Sequence, residues 1–151
     1  MKITDIISLD NIFIDLEVSS KKALFKEIAN IIEKKSAIEQ SDVLDNLNKR
    51  EQLGSTAIGD GIAIPHSKIM GLKKIFSLFI RPKESIDFSA ADSKKIDIIF
   101  VIIAPEESKT DHLMALSEIS NFLRIKGNKE KLRKLKSIDS IFEIFSNFNV
   151  D

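Results

Sequence analysis

Ile96-Asp-Ile-Ile-Phe-Val-Ile-Ile103 is the stretch on which the fold turns. All but one of its residues are apolar and most are β-branched, and a half-exposed strand would alternate instead. Such a run reads as a strand covered on both faces, which requires helices above and below the sheet. The longest apolar run, Ile98 to Pro105, has eight residues, far short of the roughly 20 that cross a bilayer.

Working outward, Asn11 to Glu17 alternates, with Ile12, Ile14 and Leu16 opposite Phe13, Asp15 and Glu17, and predicts a strand with one wetter face. Ser19 and Ser20 are placed to cap a helix over roughly 20–35, where Leu24, Ile28, Ile31 and Ile32 recur at helical spacing. A second helix begins near Ser41 and Asp42 on Val43, Leu44 and Leu47, with Gly54 as a left-handed C-cap. Ile75 to Ile80 predicts a strand ended by Arg81-Pro82, and Ile86-Asp-Phe88 a short extended piece. Beyond the central run, the pattern predicts a helix over 111–124 with Leu113, Leu116, Ser120 and Leu123 on one face. Shorter helices follow over 129–136 and 138–148. Alternating helices and strands around one doubly covered strand make a single α/β domain, residues 1–151, with a mixed sheet flanked by helices on both faces.

Composition narrows the chemistry. The 151 residues carry 23 Lys+Arg against 23 Asp+Glu, no cysteine and two histidines. Without cysteine there is no disulfide, thiol nucleophile or thiolate metal site. Zero formal charge argues against a nucleic-acid or membrane-surface protein. Four acidic residues, Asp5, Asp10, Asp15 and Glu17, interrupt any N-terminal signal segment, so cytoplasm is the expected location. One strongly charged stretch stands out: Arg124 to Lys136 holds seven basic residues and one acid, Glu130. It reads as a solvated helix face or as a surface for acidic partners, and it lacks the interleaved aromatics that stack on bases.

The segment from Arg50 to His66 concentrates three of the five glycines, an arginine and one of the two histidines. Gly54 and Gly59 have the spacing of a P-loop, but Asp60-Gly61 stands where the lysine and hydroxyl of that motif belong, so nucleotide binding is rejected. What remains is a hairpin turned at Gly59-Asp60-Gly61, with the Ser55 and Thr56 hydroxyls and backbone N–H groups exposed beside it. His66, held by Pro65 at the end of the short strand Ile62-Ala-Ile64, is placed as a reactive group; alone, a histidine there is equally an ordinary surface residue. His112 lies in the first turn of a predicted helix, where the dipole favours an anion and disfavours imidazolium. Arg50 either complements a helix C-terminus or grips phosphate. Two histidines without a nearby third ligand make a poor catalytic zinc site, so neither a metal nor a cofactor is expected.

The string Leu53-Gly-Ser-Thr-Ala-Ile-Gly-Asp-Gly-Ile-Ala-Ile-Pro-His66, after Arg50-Glu51 and before Pro105 and His112-Leu113, resembles the IIA domain of the bacterial phosphoenolpyruvate-dependent phosphotransferase system, fructose/mannitol type. The resemblance covers the whole chain and is greatest to the stand-alone nitrogen-regulatory branch. It implies a mixed five-stranded sheet and a phosphohistidine mechanism. His66 matches the phosphoryl acceptor, His112 the second active-site histidine and Arg50 the phosphate-binding arginine. Thr56 and the glycine turn, with Gly54 and Ser55, match the segment that lines the phosphate site, and Ser67, next to the acceptor, falls in that lining by position. An HPr-like phosphocarrier is the implied donor, and transporters or sensor kinases are the implied regulatory targets, with no nucleic acid and no membrane insertion. Ala57 and Ser67 depart from the family's usual residues. Two other readings stand beside this one: a sugar-specific subunit that passes phosphate to a separate IIB protein, and a non-catalytic binding module of the same fold.

Overall fold

The computed structural model describes residues 1–148. Helix α1 (Ile3–Ile6) and a single 3-10 turn (Leu9–Asn11) lead into β1 (Ile12–Leu16). Helices α2 (Lys21–Ser36) and α3 (Gln40–Gln52) follow, then the short strands β2 (Ala57–Gly59), β3 (Ile62–Ala63) and β4 (His66–Ile69). The long strands β5 (Phe76–Pro82) and β6 (Ile98–Pro105) precede helices α4 (Asp111–Arg124), α5 (Asn128–Lys134) and α6 (Ile138–Phe148). Ser20 caps α2, its hydroxyl accepting the Ala23 N–H at 3.0 Å. None of the described helices is long and apolar enough to cross a membrane.

β6 is the central strand and is buried over almost its whole length. Ile99, Val101 and Ile103 point toward α2 and α3, where they meet Leu24, Phe25, Ile28 and Leu47. The alternate residues Ile98, Phe100 and Ile102 point toward α1, α4 and α6. Phe79, Phe100, Phe122 and Phe145 fill that second layer with edge-to-face ring contacts, their centroids 5.1 to 6.0 Å apart. A mixed sheet flanked by helices on both faces is therefore the observed architecture.

Strand order is β1-β5-β6-β3-β2, with β4 also on β6. β3 and β4 lie along the same edge of β6 at one register offset, Ile62 opposite Ile98 and His66 opposite Ile102. They are one strand position interrupted at Ile64-Pro65, so six segments occupy five positions. The interruption follows from chemistry: Pro65 has no N–H to donate. Its carbonyl still accepts the Ile102 N–H at 2.9 Å, while the Ile64 N–H turns back to Thr56 O at 3.0 Å.

Several local expectations change. His66 opens β4 instead of ending the Ile62–Ile64 strand. The alternation of β1 breaks at Asp15, which takes a left-handed backbone (φ 57°) beside a register shift. Leu16 then joins Phe13 against the α2 and α3 layer. At the end of α3, Gly54 has φ 154°, far from the αL value of a left-handed cap; the Leu53 N–H closes the helix onto Arg50 O and the Gly54 N–H onto Glu51 O, each at 3.2 Å. On α4 the buried face is Ala115, Ile119, Phe122 and Leu123, whereas Leu113 is 56% exposed.

The hairpin at Asp60-Gly61 forms as expected, with both residues at positive φ (56° and 78°) as tight hairpin turns require. A Cβ on Gly61 would sit 2.8 Å from Arg133 Nη2 and 2.9 Å from Asp97 Oδ1. Gly61→Ala is expected to cost about 2 kcal/mol from the left-handed backbone and the displaced Arg133–Asp97 pair. A urea denaturation midpoint measured against the unsubstituted chain checks this.

Candidate functional site

The interruption in the β3–β4 line creates the site. Where the chain re-enters the ladder, His66 is the first paired residue and lies opposite Ile102, on the α4 side of the sheet. β4 has no strand on its outer side among the described residues, and the C-terminal end of α3 lies against it. Arg50 reaches His66 from that helix. On the other flank, α4 begins at Asp111 and presents His112 from its first turn.

His66 Nδ1 lies 2.9 Å from Ile64 O, and the Arg50 Nε–H points at His66 Nε2 across 3.2 Å. A carbonyl oxygen only accepts and a guanidinium only donates. Both neighbours therefore select one neutral tautomer, with the proton on Nδ1 and the lone pair on Nε2. Arg50 is itself aimed by a second bond, Nη1 to Gly54 O at 2.9 Å.

That loop is held from below by Glu51. Its carboxylate accepts Thr56 Oγ1–H at 2.7 Å, Thr56 N–H at 3.0 Å and the Lys21 ammonium at 2.9 Å, with only 8% of the side chain exposed. Lys21 also sits over the Phe88 ring, 4.8 Å from its centroid, and Ser55 Oγ donates to Phe88 O at 3.1 Å. The chain of contacts runs from α2 through Glu51 to the loop, then to Arg50 and His66.

Arg50, His66, Ser67 and His112 line one open cleft of about 570 Å³, together with Asn46, Lys49, Gln52, Leu53 and Lys68. Gly54, Ser55 and Thr56 stand outside this lining: the two hydroxyls are engaged with Phe88 O and Glu51, and Thr56 is buried. Sequence reasoning missed Lys68, which shares the His66 face two residues along β4. It also missed Asn46, Lys49 and Gln52 on α3 and Leu53 at its C-cap, all within four residues of Arg50. Helical spacing and strand parity carried both signals.

The cleft is positively charged. Lys49, Arg50 and Lys68 line it and, among the described residues, no carboxylate does; Lys49 Nζ also meets the exposed Asp45 Oδ2 at 3.1 Å. Lys68 Nζ is tethered to Ser108 O at 2.8 Å. The His112 imidazole has its Nδ1 buried without a hydrogen-bond partner. Burial first, then the charges of Lys68 and His66, hold its pKa below the ordinary histidine value. His112 therefore stays neutral at pH 7, free to donate a hydrogen bond without adding charge. The unfolded chain binds the proton more readily, so stability is full above about pH 6.5 and falls as pH drops below it. Urea midpoints between pH 7 and 5.5 are expected to decline, and His112→Asn is expected to flatten that decline.

A family model described as "Phosphoenolpyruvate-dependent sugar phosphotransferase system, EIIA 2" matches residues 5–148. A nitrogen regulatory protein of Bradyrhizobium diazoefficiens is 38% identical over 146 residues, covering 97% of this chain and 95% of its own. The crystal structure of nitrogen regulatory protein IIA-Ntr from Neisseria meningitidis superposes with a TM-score of 0.88 at 37% identity, covering 95% of this chain and 98% of that one. The IIA mannitol structure from Escherichia coli shares the fold, with a TM-score of 0.78 at 21% identity over 92% of this chain and 98% of its own.

Proposed function

The chain belongs to the EIIA 2 family of the phosphoenolpyruvate-dependent sugar phosphotransferase system, and from that premise we propose that His66 accepts a phosphoryl group on Nε2. The donor is an HPr-like phosphocarrier, itself charged from phosphoenolpyruvate. The similarity to nitrogen regulatory proteins across nearly the whole chain supports a regulatory role, in which the phosphorylation state selects the proteins it binds. Transporters and sensor kinases are the partners of that reading, and the cytoplasm is its location.

The observation that carries this reading is the pair of hydrogen bonds on the His66 ring. Attack in line by the Nε2 lone pair breaks the donor's P–N bond and forms a new one. The Nδ1 proton stays on the ring, held by Ile64 O, so no base has to remove it. The ring becomes cationic while the three phosphoryl oxygens carry negative charge. Arg50 turns its N–H groups from the lone pair to those oxygens, and Lys49 and Lys68 supply further positive potential in the cleft. Neutral His112 donates to the phosphoryl group from the helix N-terminus, whose dipole favours the anion. Gly54, Ser55 and Thr56 act in this reading as the support that aims Arg50, and Ser67 lies beside the phosphoryl group.

Incubation with phosphoenolpyruvate, enzyme I and the cognate HPr-like carrier tests the proposal. One acid-labile phosphate per chain is expected by intact mass. A chain that gains none while its carrier is fully phosphorylated contradicts the reading and leaves a binding module of the same fold.

A further inference from the structure

The basic stretch at 124–136 takes no part in the site at His66. Two of its cations are engaged structurally. Lys129 Nζ meets Asp60 Oδ2 at 3.3 Å, and Arg133 Nε meets both Asp97 oxygens at 2.9 and 3.1 Å while Nη2 donates to Asp60 O. Lys134 and Lys136 have no such partner among the described residues. They converge with Arg81, Lys83 and Arg133 on a second cavity of about 500 Å³, where the ends of β1 and β5 meet the C-terminal end of α5.

We propose that this cavity is a second anion site, selective for a diphosphate group. Five cationic side chains line it against two carboxylates, Asp15 and Asp97, and Asp97 is already paired with Arg133. Arg81 is the key residue. Its guanidinium is half-buried, and Nη1 donates to Leu132 O at 2.8 Å and Leu135 O at 2.6 Å. Those bonds cap the end of α5, but both acceptors are neutral carbonyls. The charge of Arg81 therefore has no counter-ion among the described residues, and a charge withdrawn from water without one seeks an anion. Lys83 has only a distant exposed partner, Glu17, at 3.5 Å.

The size of the positive excess selects the ligand. One phosphate carries about −1.5 to −2 near neutral pH, less than the three charges by which the cations outnumber the carboxylates. Two linked phosphates match it better. The recognition is of the charged group alone, since Pro82 is the one apolar lining residue and nothing aromatic is present to stack on a base. Inorganic pyrophosphate and the diphosphate of a nucleotide are therefore equivalent ligands. Asp97 precedes β6 and Ile102 is the strand partner of His66, so the two cavities are separated by about 17 Å along the strand. Anion binding there does not depend on the reaction at His66.

Titration of the full chain with inorganic pyrophosphate, followed by amide NMR shifts, tests it. Saturable shifts are expected at Asp15, Arg81, Lys134 and Lys136, separate from any at the His66 cleft. ADP is expected to bind within about threefold of pyrophosphate. Replacing both Lys134 and Lys136 with Gln, at exposed positions that leave the fold intact, is expected to weaken binding about tenfold or more. Asp15→Asn is expected to tighten it. Shifts confined to the His66 cleft, binding that ignores the double substitution, or an acidic peptide or oligonucleotide that occupies the cavity while pyrophosphate does not, each overturn the proposal.

Discussion

His66→Ala is expected to acquire no phosphate from the phosphorylated carrier, while keeping the melting behaviour of the unsubstituted chain to within a few degrees. The loss is complete because no other nucleophile is prepared in the cleft. His112 is the only other imidazole there, and its Nδ1 is buried without a partner, with no donor or acceptor to select a tautomer for attack. Ser67 Oγ makes only a long contact with Lys68 O at 3.3 Å and has no base to activate it. The fold survives because His66 is half-buried and contributes no apolar packing to either core layer. Intact mass after incubation, paired with a thermal melt, separates the chemical loss from unfolding. Stoichiometric phosphate on the Ala variant removes His66 from the role.

Glu51→Ala is expected to cost about 2 to 4 kcal/mol of stability, because it breaks a part-buried ion pair and strands two donors on buried Thr56. Three donors lose their acceptor together: Lys21 Nζ, Thr56 N–H and Thr56 Oγ1–H. Thr56 is 4% exposed, so its N–H cannot simply turn to water. The same change loosens the loop whose Gly54 carbonyl aims Arg50, and phosphate acceptance should fall with it. Glu51→Gln keeps a side-chain oxygen for Thr56 but removes the negative charge that pairs with Lys21, so it is expected to lie between the two. Urea denaturation of the three chains gives the order directly; a Glu51→Ala chain as stable as the unsubstituted one would mean that Glu51 does not hold this loop.

The two-sided burial of the central strand was readable because Ile98 to Ala104 is apolar at every position, and both layers of helices follow from that. The α4 face was misread because apolar residues surround much of the helix: Leu113 is in helical register with Leu116, Ser120 and Leu123, yet it follows His112 at the exposed end. The bulge at Asp15 left no mark on an alternation that is correct up to Ile14. For the site, motif residues Arg50, His66, Ser67 and His112 were legible and do share a cleft. Lys68 was not, because His-Ser-Lys-Ile lacks the apolar alternation that marks a strand, and its pairing with β6 is imposed by the ladder that Ile62 and Ala63 begin. Ser55 and Thr56 were read as exposed from their place in a glycine-rich segment. The partners that engage them, Phe88 and Glu51, are fixed by tertiary packing.

The position of phosphate on the His66 ring decides between the two ring nitrogens. Nitrogen-15 NMR of the phosphorylated chain resolves the two ring nitrogens by their shifts and their coupling to phosphorus. The geometry predicts the phosphoryl group on Nε2, with the proton retained on Nδ1 opposite Ile64 O. Phosphate on Nδ1, or on any residue other than His66, contradicts it.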